Sequence, residues 1–529
     1  MPTLNWIGKK AVINHDRDVP FHLLQEVPER SFGDRNAGNL LIQGDNLIAL
    51  KSLLPYYAGR VKCIYIDPPY NTGNEGWVYN DNVNDPEIKA WINQVVGREA
   101  EDLSRHDKWL CMMYPRLKLL RDFLRPDGFI FISIDIFEVA HLKSLMDEIF
   151  GLQNFRNCIA VRRGIKNVQA QFNDLQQLAL GHEYILLYSK NSSARLPKLK
   201  TTHDEIKPGK WDTFWRGTDR PTMRFKLFDK EPTTGQWRWE KQRTLKAVDN
   251  YEKFLSQRDF INIDDYYNDH LMATNEKLDF VRKNEDGAIQ YYVPPQSGKL
   301  LSDNWMDILL SGSFAGFDTE KNVLILERII QWMTIEDPNA IILDSFAGSG
   351  TTAHAVLTAN AQDAGHRRFI MIEMLPEIAE KTTAERLKKV VGGYREKGKS
   401  FKGAGGGFRY YRLGIPLFDE YGNVFGKVSF SDLAKHVFFS ETGSPLPDGA
   451  ELNTPFIGAY EGRAIYLLYN GILKDRNPRS GNVLTREVLS YLPEFDGPKV
   501  VYGTGCRLSA MTLRAAQIEF KQIPYELKR

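Results

Sequence analysis

The feature that most constrains this chain is the tetrapeptide Asp67-Pro68-Pro69-Tyr70, which directly follows the apolar run Val61–Ile66. The run is typical of a buried strand, and two consecutive prolines cannot continue it, so the chain must turn where the strand ends. The proline after Asp67 restricts that residue to an extended backbone. The Asp67 carboxylate is therefore expected at the carboxyl edge of an open α/β sheet, where such folds bind ligands.

An acid, two prolines with rigid carbonyl groups and an aromatic ring suit an exocyclic amino group on a nucleobase. That nitrogen is a poor nucleophile because its lone pair is delocalised into the ring. Asp67 and a proline carbonyl can accept its two hydrogens and favour a tetrahedral nitrogen, while Tyr70 stacks on the base. Such a base must first leave the duplex. A plain turn after a strand explains the tetrapeptide equally well, so the motif needs a partner.

The partner is a second strand and glycine turn far downstream, at residues 341–352. Free amides at the helix start that follows favour an anion, either a phosphate or the carboxylate of a methionine moiety. The next strand ends in an acid 23 residues beyond the last glycine, the arrangement used to bind ribose hydroxyls. Several nucleotide-binding folds share such a loop, so alone it is weak evidence. The candidate cofactor-binding residues of this part are Asp344, Phe346, Gly348, Gly350, Thr351 and Glu373.

Together the two stretches resemble the amino-group (N6-adenine or N4-cytosine) DNA methyltransferases that use S-adenosyl-L-methionine. The order, with the tetrapeptide about 280 residues before the glycine turn, is similar to the permuted β group of that family. Within it the chain most resembles the modification (Mod) subunit of type III restriction-modification systems, from about Trp6 to about Leu413. The resemblance implies a permuted Rossmann-like α/β fold with a mostly parallel seven-stranded sheet, an inserted target-recognition domain and a small C-terminal α/β domain.

The resemblance also implies roles for single residues. It makes Asp67, Pro68, Pro69 and Tyr70 the catalytic set, with Asp67 also close to the cofactor. Asp45 corresponds to a position on the adenine side of the cofactor, where an ordinary helix cap is the plain alternative. Lys321 corresponds to a position near the methionine end, where a helix surface residue is the alternative. The family's cytosine enzymes more often carry serine in place of Asp67, so adenine is favoured and N4-cytosine stays the alternative.

Length and composition indicate a globular protein of two or three domains, because 529 residues exceed one ordinary domain and 42% are hydrophobic. A glycine-rich linker is predicted at 403–407. Partner docking or dimerisation is the expected use of the part that follows it. The predicted parts are an amino-terminal arm (1–37), the first half of the methyltransferase core (38–190), a target-recognition domain (191–303), the second half of the core (304–400) and a C-terminal α/β domain (408–529).

The segment Asn191–Lys246 contains fourteen Lys and Arg residues against seven Asp and Glu, although the whole chain has a formal charge of only +2. Basic side chains pair with phosphates, and arginine reaches base edges in the major groove. The segment is therefore predicted to bind double-stranded DNA, and a solvated charged surface with tryptophans in a small local core is the competing interpretation. The tryptophans are Trp211, Trp215, Trp237 and Trp239, and the candidate DNA-binding residues are Arg216, Arg220, Arg224, Lys226, Arg238 and Arg243.

No metal site is expected. The four cysteines have neither zinc-finger nor disulfide-framework spacing. His182-Glu183 has no second histidine at helical spacing.

The sequence contains no span of membrane-helix length and no signal-peptide pattern at its amino terminus, so a cytoplasmic location is expected.

The expected function is site-specific methylation of the N6 amino group of adenine in duplex DNA after base flipping, as the modification component of a type III-like restriction-modification system. The expected partners are double-stranded DNA, a second copy of the chain, and a separate restriction (helicase and nuclease) subunit, because this sequence has no helicase or nuclease motif. Two other classes stay open. A catalytically idle DNA-specificity subunit should lack one of the two motifs, and a methyltransferase for protein glutamine or RNA would not need the basic insertion.

Overall fold

Contacts in the computed structural model divide the chain into two units. Unit 1 comprises Met1–Pro197 and Asp303–Arg529, and unit 2 comprises Lys198–Ser302. Unit 2 lies within the stretch 191–303 that the sequence marks as an insertion. The structure describes residues 4–71, 86–97, 104–164, 178–200, 208–258, 260–274, 276–295, 300–314, 320–396, 399–419, 421, 423–447, 449–469, 482–523 and 525–526.

The strands are numbered in chain order. Before residue 198 they are β1 (His22–Glu26), β2 (Phe32–Gly33), β3 (Leu40–Gln43), β4 (Val61–Ile66), β5 (Leu124–Ile134), β6 (Phe155–Arg162) and β7 (His182–Ser189). Unit 2 has β8 (Lys210–Thr213), β9 (Trp215–Arg216), β10 (Gln236–Trp237), β11 (Val281–Lys283) and β12 (Ile289–Val293). Next come β13 (Asn304–Leu309), β14 (Ile341–Asp344), β15 (Arg368–Glu373), β16 (Gly393–Glu396), β17 (Lys399–Lys402) and β18 (Gly407–Pro416). The last are β19 (Phe456–Tyr460), β20 (Arg463–Leu467), β21 (Val483–Leu484), β22 (Lys499–Gly503), β23 (Gly505–Cys506) and β24 (Ile518–Gln522).

The helices are numbered in the same way. The first are α1 (Lys9–Val12), α2 (His15–Asp18), α3 (Asn46–Tyr57), α4 (Pro86–Val96), α5 (Arg105–Phe123) and α6 (Val139–Phe150). Unit 2 has α7 (Lys241–Leu255) and α8 (Ile263–Thr274). The remaining helices are α9 (Val323–Thr334), α10 (Thr351–Asp363), α11 (Pro376–Ile378), α12 (Ala384–Gly392), α13 (Phe430–Thr442), α14 (Arg486–Tyr491) and α15 (Ala510–Ala515). None of the helices in the described ranges is both long and apolar enough to cross a membrane.

The main sheet of unit 1 has eleven strands within the described residues, in the order β1-β18-β3-β15-β14-β4-β5-β7-β6-β13, with β2 also paired to β18. The six strands from β18 to β5 are parallel neighbours. Strands β1, β2 and β7 run against them. The predicted mostly parallel α/β sheet is confirmed, but it has more than the seven strands expected. Arm strands β1 and β2 and strand β18 extend one edge, and β13 extends the other.

The central strands are buried at nearly every position. Continuous burial means that helices cover both faces of the sheet, as parallel sheets require. Local sequence fixes where these helices start. Asp45 caps α3 through hydrogen bonds from the backbone N–H groups of Leu47 (2.8 Å) and Ile48 (3.1 Å). Helix α5 begins with a capping box, in which the side chains of Ser104 and Asp107 each accept a hydrogen bond from the other's backbone N–H.

The boundary predicted at residue 408 lies inside strand β18, and the part that follows this strand belongs to unit 1 together with the core. Residues 409–412 pair with β3 in the main sheet. The predicted linker at 403–407 is also tied to the core, because Ala404 N–H donates to the Val390 carbonyl at 2.8 Å. The glycines allow close backbone approach: a Cβ on Gly407 would lie 2.3 Å from the Asp34 nitrogen. Beyond β18, strands β19, β20, β22 and β24 form a separate four-stranded sheet.

Unit 2 has a three-stranded antiparallel sheet, β11-β12-β8, and a two-stranded pair, β10-β9. Two local cores hold it together, and both are rich in aromatic rings. One core is built around Phe214 and Trp237, and the other around Phe280 and Tyr292.

Candidate active site

Four acids lie at the same edge of the main sheet. Strands β3, β15, β14 and β4 are consecutive parallel neighbours, so their carboxyl ends meet. Asp45 follows β3, Glu373 closes β15, Asp344 closes β14 and Asp67 follows β4. The strand that ends in the tetrapeptide is therefore adjacent to the strand that ends in the glycine turn. The structure thus brings the two motifs to neighbouring strand ends, which is the condition that a shared site requires.

Asp67 is paired with Lys321. The Lys321 Nζ lies 3.0 Å from Oδ2 of Asp67, and the two side chains are only 11% and 18% exposed. Burial raises the pKa of Asp67 to about 6, and the Lys321 ammonium opposes that rise. Oδ1 of Asp67 is buried and receives no hydrogen bond from any described residue. One carboxylate oxygen is therefore ready to accept a hydrogen bond from a ligand.

The two proline carbonyls of the turn have different surroundings. The carbonyl of Pro69 accepts a hydrogen bond of 2.6 Å from the indole Nε1 of Trp109. No described residue donates to the carbonyl of Pro68, which leaves that group as the acceptor beside Asp67. The Tyr70 ring is 8% exposed. The Lys321 Nζ lies 4.7 Å from the centroid of the Tyr70 ring. The lysine ammonium therefore occupies the space between the Tyr70 ring and the Asp67 carboxylate.

The glycine turn is preformed. Gly348 and Gly350 have positive φ values of 50° and 81°, which L side chains rarely adopt. Gly350 precedes helix α10, and a Cβ on it would lie 3.0 Å from Thr383 Cγ2. The Gly348 N–H donates to Glu373 Oε2 (2.8 Å), and its carbonyl accepts from Thr383 Oγ1 (2.6 Å). Neighbouring elements thus hold the backbone of the turn from both sides.

Asp344 also holds the glycine turn, through both of its carboxylate oxygens. Its Oδ1 accepts from the Phe346 N–H (3.0 Å), and its Oδ2 accepts from Thr352 Oγ1 (2.6 Å). Burial raises the pKa of Asp344 to about 7. Thr351 Oγ1 donates to the Lys321 carbonyl at 3.3 Å. A hydrogen bond from a threonine side chain to the backbone of Lys321 therefore connects the turn to the lysine that faces Asp67.

Asp45 serves as the cap of α3, as the plain alternative predicts, and its Oδ2 lies 3.4 Å from Arg116 Nη2. It is also next to Glu373, because the Gly44 N–H donates to the Glu373 carbonyl at 3.0 Å. The Glu373 carboxylate accepts a second backbone hydrogen bond, from Leu375 N–H at 3.0 Å. Two acids, Asp45 and Glu373, thus adjoin each other at this edge of the sheet.

A cavity connects Asp67 to the glycine turn. Its volume is only about 20 Å³, enough for about one water molecule, and its walls combine a lysine, two acids, small residues, a tyrosine and one phenylalanine. The residues that line it are Tyr65, Asp67, Lys321, Asp344, Phe346, Ala347, Gly348, Ser349, Thr351 and Thr352.

The candidate DNA-binding residues of unit 2 fall into two sets. In the first set the charge is already engaged: Arg243 forms a two-point contact with Asp279 (2.6 and 3.0 Å), and Arg224 is hydrogen-bonded to Asp219. Arg238 lies over a tyrosine ring, 4.3 Å from its centroid. These three residues support unit 2 through internal contacts.

The second set is exposed. Arg216, Arg220 and Lys226 point into solvent. In the part of unit 2 that the structure describes, they form no ion pair. Trp215 is 45% exposed, whereas Trp237 is buried in a local core. The competing interpretation, tryptophans in a small core, therefore describes Trp237 but not Trp215.

Four residues near the tetrapeptide could not be identified from sequence motifs. Asn71 and Glu138 are fully buried behind the turn, with His106 and Trp109 beside them. No short motif contains them, because they come from three separate parts of the chain. The signal available in the sequence was an acid, Glu138, shortly after strand β5, which ends at Ile134 beside β4.

Known proteins match this chain over most of its length. A family model described as DNA methylase matches residues 61–385. The chain is 31% identical over 455 residues to the Mod subunit of the type III restriction-modification enzyme StyLTI from Salmonella typhimurium, covering 77% of this chain and 64% of that protein. It is 29% identical over 448 residues to the EcoP15I Mod subunit from Escherichia coli, covering 72% and 66%. It therefore spans just under two thirds of either Mod subunit. A solved structure of an M1.HpyAVI–SAM complex aligns with a TM-score of 0.32 and 15% identity, covering 66% of this chain and 98% of that one.

Proposed function

This chain belongs to the DNA methylase family, whose model spans both the tetrapeptide and the glycine turn, and from that premise we propose that it is a site-specific, S-adenosyl-L-methionine-dependent methyltransferase acting on the N6 amino group of adenine in duplex DNA. One observation supports this proposal above all others. Asp67 and the glycine turn at Gly348 and Gly350 lie at the ends of adjacent parallel strands and line one cavity. A methyl donor at the turn and an amino acceptor at Asp67 would then be neighbours.

The residues around the glycine turn fit the proposed cofactor. S-adenosylmethionine, when bound, supplies an electrophilic methyl group on a sulfonium. Glu373 and Asp45 offer carboxylate oxygens to hydroxyl and amino groups of its nucleoside, and the ring of Phe346 offers an apolar surface. The start of α10 and Lys321 favour its carboxylate.

The base would occupy the pocket formed by the turn after β4. Oδ1 of Asp67 and the carbonyl of Pro68 accept the two hydrogens of the amino group, and Tyr70 stacks against the base. Lys321 now places an ammonium at this position, 3.0 Å from Asp67. The Lys321 ammonium would therefore have to leave Asp67 when a base enters, and the carboxylate of a bound cofactor would offer it another partner.

Asp67 also supplies the proton acceptor. As the new nitrogen–carbon bond forms and the sulfur–carbon bond breaks, the amino nitrogen must lose one proton. Asp67, with its pKa raised to about 6, is ionised at neutral pH and accepts that proton. No covalent intermediate with the protein is required, so positioning and exclusion of water supply most of the rate.

Double-stranded DNA and other protein subunits are the proposed macromolecular partners. Unit 2 is the target-recognition domain, and its exposed residues Arg216, Arg220 and Lys226 contact phosphates of double-stranded DNA. The similarity to Mod subunits supports a role as the modification component of a type III-like system. A homodimer and a separate restriction subunit are then the expected assembly.

Methyl transfer from labelled S-adenosylmethionine tests the proposal directly. The protein is incubated with separate pools of unmethylated duplex DNA, RNA and protein, and the products are digested and separated. Label should appear in DNA as N6-methyladenine. Label in N4-methylcytosine would change the target base, and label only in RNA or protein would overturn the proposal.

A further inference from the structure

A buried carboxylate lies directly behind the catalytic turn and takes no part in the steps above. The Glu138 side chain is 0% exposed. Asn71, which follows Tyr70, is also fully buried. The Nδ2 of Asn71 donates a hydrogen bond of 2.5 Å to Glu138 Oε1. The last residue of the turn is thus joined to the start of helix α6 by a single buried hydrogen bond.

The backbone of Asn71 shows why this hydrogen bond matters. Asn71 has a φ of 60°, a left-handed conformation that asparagine tolerates better than most side chains. Its Nδ2 also lies 3.3 Å from the carbonyl of Arg105. Two residues earlier, Trp109 holds the carbonyl of Pro69 at 2.6 Å. Side chains from behind therefore fix two points of the turn, Pro69 and Asn71, which follow Asp67 and Pro68 within the same short segment.

Two histidines face the same carboxylate. His106 Nδ1 lies 2.5 Å from Glu138 Oε1, and His141 Nδ1 lies 3.0 Å from Oε2. The histidines are 39% and 35% exposed, so they cover the solvent side of a carboxylate that is otherwise enclosed. A buried carboxylate without a partner is costly. Asn71 and His106 both reach Oε1 at 2.5 Å, so the turn and helix α5 meet at the same carboxylate oxygen.

These three side chains are also of the types that bind zinc, and their ligand atoms lie within 4.8 Å of one another. Geometry distinguishes the two arrangements. Two ligands on one tetrahedral zinc ion, each about 2.1 Å from the metal, are about 3.4 Å apart. The 2.5 Å between His106 Nδ1 and Glu138 Oε1 is too short for that and matches a strong hydrogen bond.

We propose that Asn71 and Glu138 are positioning residues for methyl transfer, which set the placement of Asp67 and the Pro68 carbonyl around the amino nitrogen. This inference rests on the function proposed above. Transfer requires reacting atoms about 3 to 3.5 Å apart, and a displacement of about 1 Å costs about 100-fold in rate. The glycine turn is held by other residues, Thr383 and Glu373. Loss of the Asn71–Glu138 hydrogen bond should therefore slow transfer without weakening cofactor binding.

The substitution Asn71→Gly isolates the side chain, because glycine keeps the positive φ and removes only the amide. Single-turnover transfer of labelled methyl groups to DNA, at saturating cofactor, should slow by about 10- to 100-fold. The Kd for S-adenosylmethionine should change less than about twofold, since its site keeps its backbone hydrogen bonds. This split between rate and cofactor affinity is the readout that a merely structural role would not produce.

Asn39 provides the matched control. It is also a buried asparagine, and its amide donates to the Gly407 carbonyl (2.8 Å) and accepts from the Phe369 N–H (2.9 Å) at the amino ends of the strands. Asn39→Ala should lower the Tm and leave the single-turnover rate within about twofold of wild type. A loss of rate in Asn39→Ala as large as that in Asn71→Gly would show that general destabilisation explains both, and would overturn the inference.

Two variants of Glu138 complete the experiment. Glu138→Gln keeps an oxygen that can accept from Asn71, so its rate should stay closer to wild type than the rate of Glu138→Ala. An active wild type whose Asn71→Gly variant transfers methyl groups equally fast would overturn the positioning role and leave the proposed function intact. A wild type inactive on all three substrate pools would overturn the function, and the inference with it.

Discussion

The carboxyl edge of the main sheet and the exposed surface of unit 2 use polar residues in opposite ways. At the sheet edge, Asp67 pairs with Lys321 at 3.0 Å and Glu373 accepts two backbone hydrogen bonds. In unit 2, Arg216 and Arg220 extend into solvent. Chemistry at the edge depends on a few groups in fixed positions, whereas binding by exposed charges is a sum of small contributions. Single substitutions should therefore have large effects at the edge and small effects in unit 2.

The largest effect is expected for Asp67→Ala. Removing the group that holds the amino hydrogens and accepts the proton should lower the rate of methyl transfer by about 10²- to 10⁴-fold. The glycine turn keeps its contacts to Glu373 and Thr383, so the affinity for S-adenosylmethionine should be retained. Labelled methyl incorporation and calorimetric binding of the cofactor measure the two quantities separately.

Asp127→Ala is the control for this substitution. Asp127 is an exposed acid in β5, paired with Arg125 and Lys62, and it precedes the buried part of that strand. Its loss removes both of these exposed salt bridges without touching the site, so methylation should remain near the wild-type rate. If Asp67→Ala retained methylation, single residues at the sheet edge would matter no more than residues elsewhere on the surface.

The difference between the two regions also shows what the sequence can predict. The position of Asp67 at a sheet edge follows from local rules, because an apolar strand followed by two prolines leaves few alternatives. The glycine turn with positive φ at Gly348 and Gly350 follows from residue type. The adjacency of β4 and β14 follows from the order of the two motifs in the family, which strand periodicity alone does not provide.

Contacts between distant parts of the chain could not be predicted in the same way. Asn71 and Glu138 are separated by 67 residues, and neither belongs to a recognisable motif. Which of the two proline carbonyls, Pro68 or Pro69, stays free to accept a hydrogen bond depends on Trp109 of helix α5, which donates to the Pro69 carbonyl. Composition predicts a flexible linker at 403–407, whereas the glycines there allow backbones to pack closely beside strand β18. Composition alone does not distinguish a flexible glycine segment from a tightly packed one.

The pH dependence of methylation should be the next largest effect. Asp67 must be ionised to accept hydrogen bonds from the amino group, and burial raises its pKa to about 6. The value of kcat/KM should therefore be constant above neutrality and fall about tenfold per pH unit below pH 6. Measurement of initial rates from pH 5 to pH 8 on one DNA substrate checks this.

Lys321→Met tests the cause of that pH dependence. The Lys321 ammonium opposes the effect of burial on the Asp67 pKa, so its removal should raise that pKa further and move the acidic limb to higher pH. Methionine keeps much of the length of the side chain without its charge. An acidic limb that stays in place, or moves to lower pH, would show that another group titrates.

The smallest single effects are expected in unit 2. Replacing Arg216, Arg220 or Lys226 by alanine should weaken DNA binding a few-fold each, with little dependence on the DNA sequence. Each loss should also reduce the slope of log Kd against log salt by about 1, because one fewer phosphate contact releases fewer counterions. Fluorescence anisotropy with a labelled duplex at several salt concentrations gives both quantities.

Arg243→Ala is the matched control for these alanine substitutions in unit 2. Its guanidinium already pairs with Asp279 at 2.6 and 3.0 Å, so its charge is neutralised locally and has little left for a phosphate. The salt slope of Arg243→Ala should therefore match wild type, even if the loss of its internal contacts lowers the Tm. A slope change equal to that of Arg216→Ala would mean that DNA displaces Asp279, and internal ion pairing would then no longer identify the residues that do not contact DNA.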